Sequence, residues 1–110
     1  MSFNVISSSF FDKKIKALNK KYPSIKKDLS ELIDDLTKDP LVGESLGKDC
    51  YKVRMAITSK GKGKRGGARV ITCVKVVRQN VFLISIYDKS EKGTIDDNEL
   101  LMLLEAAGVM

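Results

Sequence analysis

CYKVRMAITSKGKGKRGGARVITCVKVVRQNVFLISIYDKSEK, residues 50–92, holds three strand-like segments and one loop dense in glycine and positive charge. From Cys50 the hydrophobic pattern has a period of two. Tyr51, Val53, Met55 and Ile57 share one face, while Lys52, Arg54 and Ala56 share the other, which predicts a half-buried strand with a basic outer face. Thr58 to Gly67 (TSKGKGKRGG) follows, with four glycines and four cations. This composition predicts a mobile, strongly positive loop. A β-branched strand is expected over Arg69–Arg78, with Val70, Thr72, Val74 and Val76 on one side and Arg69, Ile71, Cys73 and Lys75 on the other. Arg78-Gln79-Asn80 reads as a hairpin turn. Val81 to Tyr87 is apolar on both faces until Ser85 and Tyr87, as suits a central strand.

Before this stretch the period changes to that of helices. Phe3 to Ile6 is short and apolar, the size of an edge strand, and Ser7, Ser8 and Ser9 supply N-cap chemistry. Phe11, Ile15, Leu18 and Tyr22 then recur at helical spacing. Pro23 ends this helix near Lys21, because the residue before a proline is pushed out of helical geometry. A second helix opens at Pro23 or Ser24. Ile25, Leu29, Leu32, Ile33 and Leu36 form its apolar stripe, and Lys26, Lys27, Glu31, Asp34 and Asp35 face water. Asp39-Pro40 stops it. The charges on this helical hairpin read as solvated faces or as a docking surface for a partner protein. Leu41 to Asp49 reads as a loop. Beyond residue 92, Thr94-x-x-Asp97 and Asp96-x-x-Glu99 both offer capping chemistry. Leu100, Leu101, Leu103, Leu104 and Ala107 then build a short terminal helix ended by Gly108. The expected fold is α+β: a small twisted, mostly antiparallel sheet, an N-terminal helical hairpin on one face and a short C-terminal helix. At 110 residues, the expected organisation is one domain, 1–110.

Charge is unevenly distributed. Residues 1–51 carry a net charge of +1, residues 52–92 a net charge of +9 and residues 93–110 a net charge of −4. Positive charge concentrated in a sheet-like region is the footprint of a polyanion partner, nucleic acid above all. Histidine is absent, which excludes Ser-His-Asp triads, histidine acid–base catalysis and His-ligated zinc. Cys50 and Cys73 lack any metal-site spacing and read as small buried hydrophobes. No apolar run approaches the roughly 18 residues of a membrane span, and no basic-then-apolar leader is present, so a cytoplasmic location is expected.

Gly61-x-Gly63-x-x-Gly66 matches a dinucleotide-binding pattern on paper. No helix opens behind it to face phosphates, so that reading fails. No Lys-Ser/Thr follows the glycines, so the loop is not a P-loop either. It reads as a solvated basic hairpin or as an arm that contacts a nucleic-acid backbone. Lys52, Arg54 and Arg69 can share one surface with it if the strands pair as a hairpin. Such a surface suits RNA cleavage by the RNA's own 2′-OH, which needs no metal. Fixed Arg and Lys side chains stabilise the phosphorane charge, and a lysine among like charges has a lowered pKa suited to proton transfer. Tyr87 reads as a base-stacking or proton-transferring group, or as a strand-end tyrosine with a packed ring. Asp96, Asp97 and Glu99 are explained by helix capping rather than metal binding, and Asp88 with Glu91 are too few for a two-metal nuclease. No metal or cofactor is expected.

The order of elements, with YKVRMAI, the KGKGKRGGARVI loop and IYDKSEK, resembles the RelE/HigB group of bacterial toxin–antitoxin toxins over nearly the whole chain, most closely its HigB-like branch. The resemblance implies a metal-independent endoribonuclease that enters the ribosome and cuts translated mRNA, neutralised by a cognate antitoxin. Carried over by motif, Lys52, Arg54, Arg69, Tyr87, Lys89 and Lys92 are the catalytic candidates, with Arg69 the foremost phosphate stabiliser. Lys60, Lys62, Lys64 and Arg65 are the implied RNA-backbone contacts. The chain departs from RelE in one respect. RelE has a tyrosine beyond its last strand, where this sequence reads GTIDD, and the nearest tyrosine here is Tyr87. Two other functions fit the same elements: a ParE-like inhibitor of DNA gyrase and a non-catalytic RNA-binding module. The antitoxin would dock on the first two helices or in the basic cleft.

Overall fold

The structure, a computed structural model, describes residues 2–109. Strand β1 (Asn4–Ser7) leads into helices α1 (Ser9–Lys21) and α2 (Ile25–Lys38), then strands β2 (Glu44–Gly47), β3 (Cys50–Met55), β4 (Ala68–Lys75) and β5 (Asn80–Asp88), and helix α3 (Asp97–Ala106). The strands form one sheet in the order β1-β5-β4-β3-β2. β1 lies parallel to β5, and the other pairs are antiparallel. No helix is long and apolar enough to cross a membrane among the described residues.

The helical hairpin forms where its sequence signals lie. Ser8 is the N-cap of α1, its Oγ accepting from Phe11 N at 3.1 Å. Phe11, Ile15, Tyr22, Ile25, Leu32 and Leu36 bury against Val53, Met55, Val70, Val74, Val81, Leu83 and Ile86 on one face of the sheet. α3 covers the other face. Its Leu100 and Leu104 pack over Cys50, Ile71, Cys73, Ile84 and Tyr87. Of the two capping options, Asp96 serves: its Oδ1 accepts from Glu99 N at 2.8 Å. Cys50 and Cys73 are buried free thiols facing each other across β3 and β4.

The segment read as a loop from Leu41 contains β2, an edge strand. Lys48 and Asp49 both take positive φ (53° and 63°) and close a tight β2–β3 turn. A two-residue hairpin loop needs that backbone, but Lys-Asp lacks the Asn-Gly or Asp-Gly signature that reveals it in sequence. β4 ends at Lys75 rather than Arg78, because the chain turns already at Val76, with Gln79 N donating to Val76 O at 3.0 Å. β5 is interior, between β1 and β4, while β4 holds the centre.

β5 also contains a bulge. Ile71 pairs with Ser85 and Thr72 with Leu83, so Ile84 is the additional residue. An extra residue reverses which face each later side chain meets. Val81, Leu83 and Ile86 meet the hairpin, while Ile84 and Tyr87 meet α3.

Gly67 precedes β4 at a close backbone crossing, where a Cβ would lie 2.2 Å from Met55 O and 3.0 Å from Ala56 Cα. Gly67→Ala is expected to destabilise the fold by about 1–3 kcal/mol in urea unfolding, since backbone cannot move aside as a flexible side chain can.

Candidate nucleic-acid interface

Sheet register assembles the candidate site. Arg54 on β3 is directly opposite Arg69 on β4, and Arg69 is directly opposite Tyr87 on β5. The three form a row across the strands. Two arginines facing each other repel, and a sheet does not place them so for stability. Lys52 lies two residues from Arg54 on the same β3 face, its Nζ 3.5 Å from Glu44 on β2. Lys52, Arg54, Lys64, Arg69 and Lys89 line one cleft of about 810 Å³, which Asp35 of α2, Asp39 just beyond that helix and Glu44 of β2 also border.

The row members differ in exposure. Arg54 reaches solvent, whereas Arg69 is only 3% exposed. The Arg69 guanidinium donates to the carbonyls of Lys64 (3.0 Å), Arg65 (3.1 Å) and Ala68 (3.0 Å). Burial and then the neighbouring Arg54 cation lower its pKa, with Tyr87 opposing them, yet a guanidinium stays protonated in any working buffer. Tyr87 is buried, and its Oη has no hydrogen-bond partner among the described residues. Burial raises its pKa against the pull of Arg69, so the phenol is neutral at neutral pH. The Lys92 ammonium sits 5.9 Å from the Tyr87 ring centroid and pairs with Glu99 of α3. The Tyr87 ring packs in the cluster under α3, and the paired Lys92 side chain stays partly exposed.

The remaining candidates divide into two groups. Lys62, Lys64, Arg65 and Lys89 are exposed. Lys60 turns inward: its side chain is 11% exposed and its Nζ lies 2.6 Å from Asp88 Oδ1. Lys60 thus differs from the other cations of the expected RNA-backbone set, which are exposed. Its ammonium is held by a buried carboxylate. Lys92 and Lys60 illustrate the same limit of charge counting, because a cation's sequence position does not show which carboxylate lies within reach.

Sequence reasoning also missed the groups that shape the site. Asp88 is 1% exposed; its Oδ2 accepts from Tyr22 Oη at 2.5 Å, and its Oδ1 accepts from Lys60 and from Ser90 N and Oγ. Burial raises the Asp88 pKa, but the hydrogen bonds from Lys60, Tyr22 and Ser90 outweigh it and hold the carboxyl well below the usual range. Asp28 is buried on the Ile25–Leu32–Leu36 face of α2. A carboxylate inside an apolar stripe was the available signal.

The model of the "RelE toxin of RelE / RelB toxin-antitoxin system" family matches residues 8–110. The chain belongs to the RelE toxin family. Solved RelE structures share its fold at low identity. An arginine double mutant of the Escherichia coli RelE toxin in the free state aligns with a TM-score of 0.62 and 16% identity, covering 98% of this chain and 96% of that one. The RelBE2 toxin–antitoxin complex of Mycobacterium tuberculosis aligns at 0.62 and 18%, covering 80% and 99%. The intact E. coli RelBE complex aligns at 0.60 and 18%, covering 79% and 96%. In this RelE-family chain the bulge and the register bring Arg54, Arg69 and Tyr87 into one row.

Asp88 stabilises the folded state in its ionised form. Its folded pKa lies below its unfolded value of about 3.9, so this stabilisation is present above that pH and is lost as pH falls toward the folded value. Asp88→Asn is expected to lose about 3–5 kcal/mol at pH 7, because it leaves Lys60 buried without its counter-charge. The gap between variant and wild type should narrow as pH drops below about 4, measured by denaturant unfolding at stepped pH. A constant gap would show that the carboxylate is not the stabilising form.

Proposed function

We propose that this chain is the toxin of a type II toxin–antitoxin system and that it cuts mRNA on the ribosome by metal-independent attack of the RNA 2′-OH. The family match supports the toxin assignment. The observation that carries the nuclease reading is the cleft in which Lys52, Arg54, Lys64, Arg69 and Lys89 converge. In the reaction the 2′-oxygen loses its proton and attacks phosphorus. The bond from phosphorus to the 5′-oxygen breaks, the 5′-oxygen takes up a proton, and a 2′,3′-cyclic phosphate remains.

Arg54 and Arg69 stabilise the charge that builds on the phosphorane, Arg69 from a guanidinium already fixed by three carbonyls. Arginine does not release its proton, so proton transfer falls to two lysines of the cleft, Lys52 and Lys89. The neutral Tyr87 phenol can donate a hydrogen bond but is not a base. Lys62, Lys64 and Arg65 hold the RNA or ribosomal backbone. Lys92 supports Tyr87 from above, through its ring. The partner proteins of this reading are a cognate antitoxin, as in the RelBE complexes, and the ribosome with its mRNA.

Primer extension on a reporter mRNA in a translating extract tests this directly. Wild-type protein should produce cuts that depend on translation, and Arg54→Ala, which removes an exposed side chain, should slow cutting about 100-fold. Arg69→Ala should abolish it and also loosen the loop whose carbonyls Arg69 holds. Intact mRNA with wild-type protein would transfer the assignment to gyrase inhibition or RNA binding. Cutting by Arg54→Ala at the wild-type rate would remove the proposed charge stabilisation.

A further inference from the structure

Four glycines in ten residues predict a mobile loop, yet the structure ties this loop down at three places. At its start, Thr58 N and Oγ1 donate to Asp28 Oδ2 and Oδ1 at 2.9 and 2.6 Å. Ser24 Oγ adds to this grip, donating to Asp28 Oδ2 at 2.8 Å and accepting from Ser59 N at 2.9 Å. In the middle, Lys60 Nζ bridges Asp88 Oδ1 at 2.6 Å and the Gly66 carbonyl at 2.8 Å. At its end, Arg69 holds the carbonyls of Lys64 and Arg65.

The two carboxylates sit on different elements, α2 and β5, and both are buried, at 6% and 1% exposure. Asp88 does not border the Arg54 cleft, and Asp28 lines a smaller pocket of about 120 Å³ that Arg54 and Lys64 also reach. Buried carboxylates persist only where donors satisfy them, and here Asp28 and Asp88 take donors from the loop. Lys62, Lys64 and Arg65 are left pointing outward. A loop ordered before binding avoids the entropy loss that a flexible loop suffers on meeting its ligand.

We propose that Asp28 and Asp88 are positioning residues that hold the basic loop as a preformed phosphate grip. Lys60 is its internal anchor, and Lys62, Lys64 and Arg65 are the groups that RNA meets. The grip half of this inference rests on the nuclease reading; the clamp half does not.

The test uses Asp28→Asn and the charge-neutral pair Lys60→Met with Asp88→Asn, with Thr58→Val as the mildest variant should either of the others fail to fold. Amide hydrogen exchange over residues 61–67 reads the clamp. Affinity for a single-stranded oligoribonucleotide across a salt series reads the grip. Exchange in the loop should rise about tenfold or more while the core amides change far less. Affinity should fall about threefold or more at fixed salt, with the slope of log affinity against log salt unchanged in the Lys60 pair variant, whereas Lys62→Ala should flatten that slope by about 0.7.

Loop exchange at the wild-type rate in the variants would overturn the clamp even where wild-type protein cuts mRNA. Raised exchange with unchanged affinity would overturn the positioning role. A slope flattened by the Lys60 pair as much as by Lys62→Ala would make Lys60 a direct phosphate contact and overturn its role as anchor. Raised exchange and weakened RNA binding, with no mRNA cutting by the wild-type chain, would support the clamp and remove the nuclease reading alone.

Discussion

One additional residue in β5 governs which side chains meet. Up to Leu83 the odd-numbered residues of this strand face the helical hairpin. After Ile84 the even-numbered ones do, so Ile86 and Asp88 point to the hairpin and Tyr87 points to α3. With an unbroken period of two, Tyr87 would lie beneath the hairpin and Asp88 on the opposite face, away from Tyr22. The row of Arg54, Arg69 and Tyr87 and the buried bond between Tyr22 and Asp88 therefore share one cause.

That arrangement separates two uses of charge. On one face, like charges are brought together where they repel, with Arg54 opposite Arg69 and Lys52 two residues away. The fold tolerates this because Arg69 is satisfied by three carbonyls and because Arg54 keeps its hydration. On the other face, opposite charges are brought together and buried, with Lys60 against Asp88. Repulsion that is relieved by an incoming polyanion is useful at a binding surface, whereas buried attraction is useful in a scaffold. Arg69 belongs to both, since the same guanidinium borders the cleft and holds the loop.

The acidic side chains at the cleft edge fit this division as well. Glu44 lies near Lys52 on the short edge strand, and Asp35 of α2 and Asp39 just beyond its end line the cleft. They leave the cationic floor reachable and bound it on one side. Exposed pairs of this kind contribute little to stability, and under the proposed nuclease reading their effect is on where the RNA backbone lies.

Much of the architecture could be read along the chain. The hairpin followed from apolar residues at helical spacing, the Ser8 cap and Pro23, the strands β3 and β4 from period-two alternation, and β5 from a run apolar on both faces. The family followed from the order of these elements and from the YKVRMAI, GARVI and IYDKSEK motifs. These are local properties, set within a few residues by backbone sterics and side-chain alternation. The β2 strand, the bulge at Ile84 and the inward turn of Lys60 were not legible in that way, and a packed ring was only one of the readings that Tyr87 allowed. β2 depends on a Lys48-Asp49 turn whose residues do not announce its positive φ, and the others depend on partners farther along the chain: Thr72 and Ile71 for the bulge, Asp88 for Lys60, and α3 for Tyr87. Composition alone shows that a glycine-rich loop has freedom to move. Only the packed fold brings Asp28, Asp88 and the arginine of β4 close enough to remove that freedom, because hydrogen bonds and buried ion pairs act over a few ångströms of space and not over a distance in sequence.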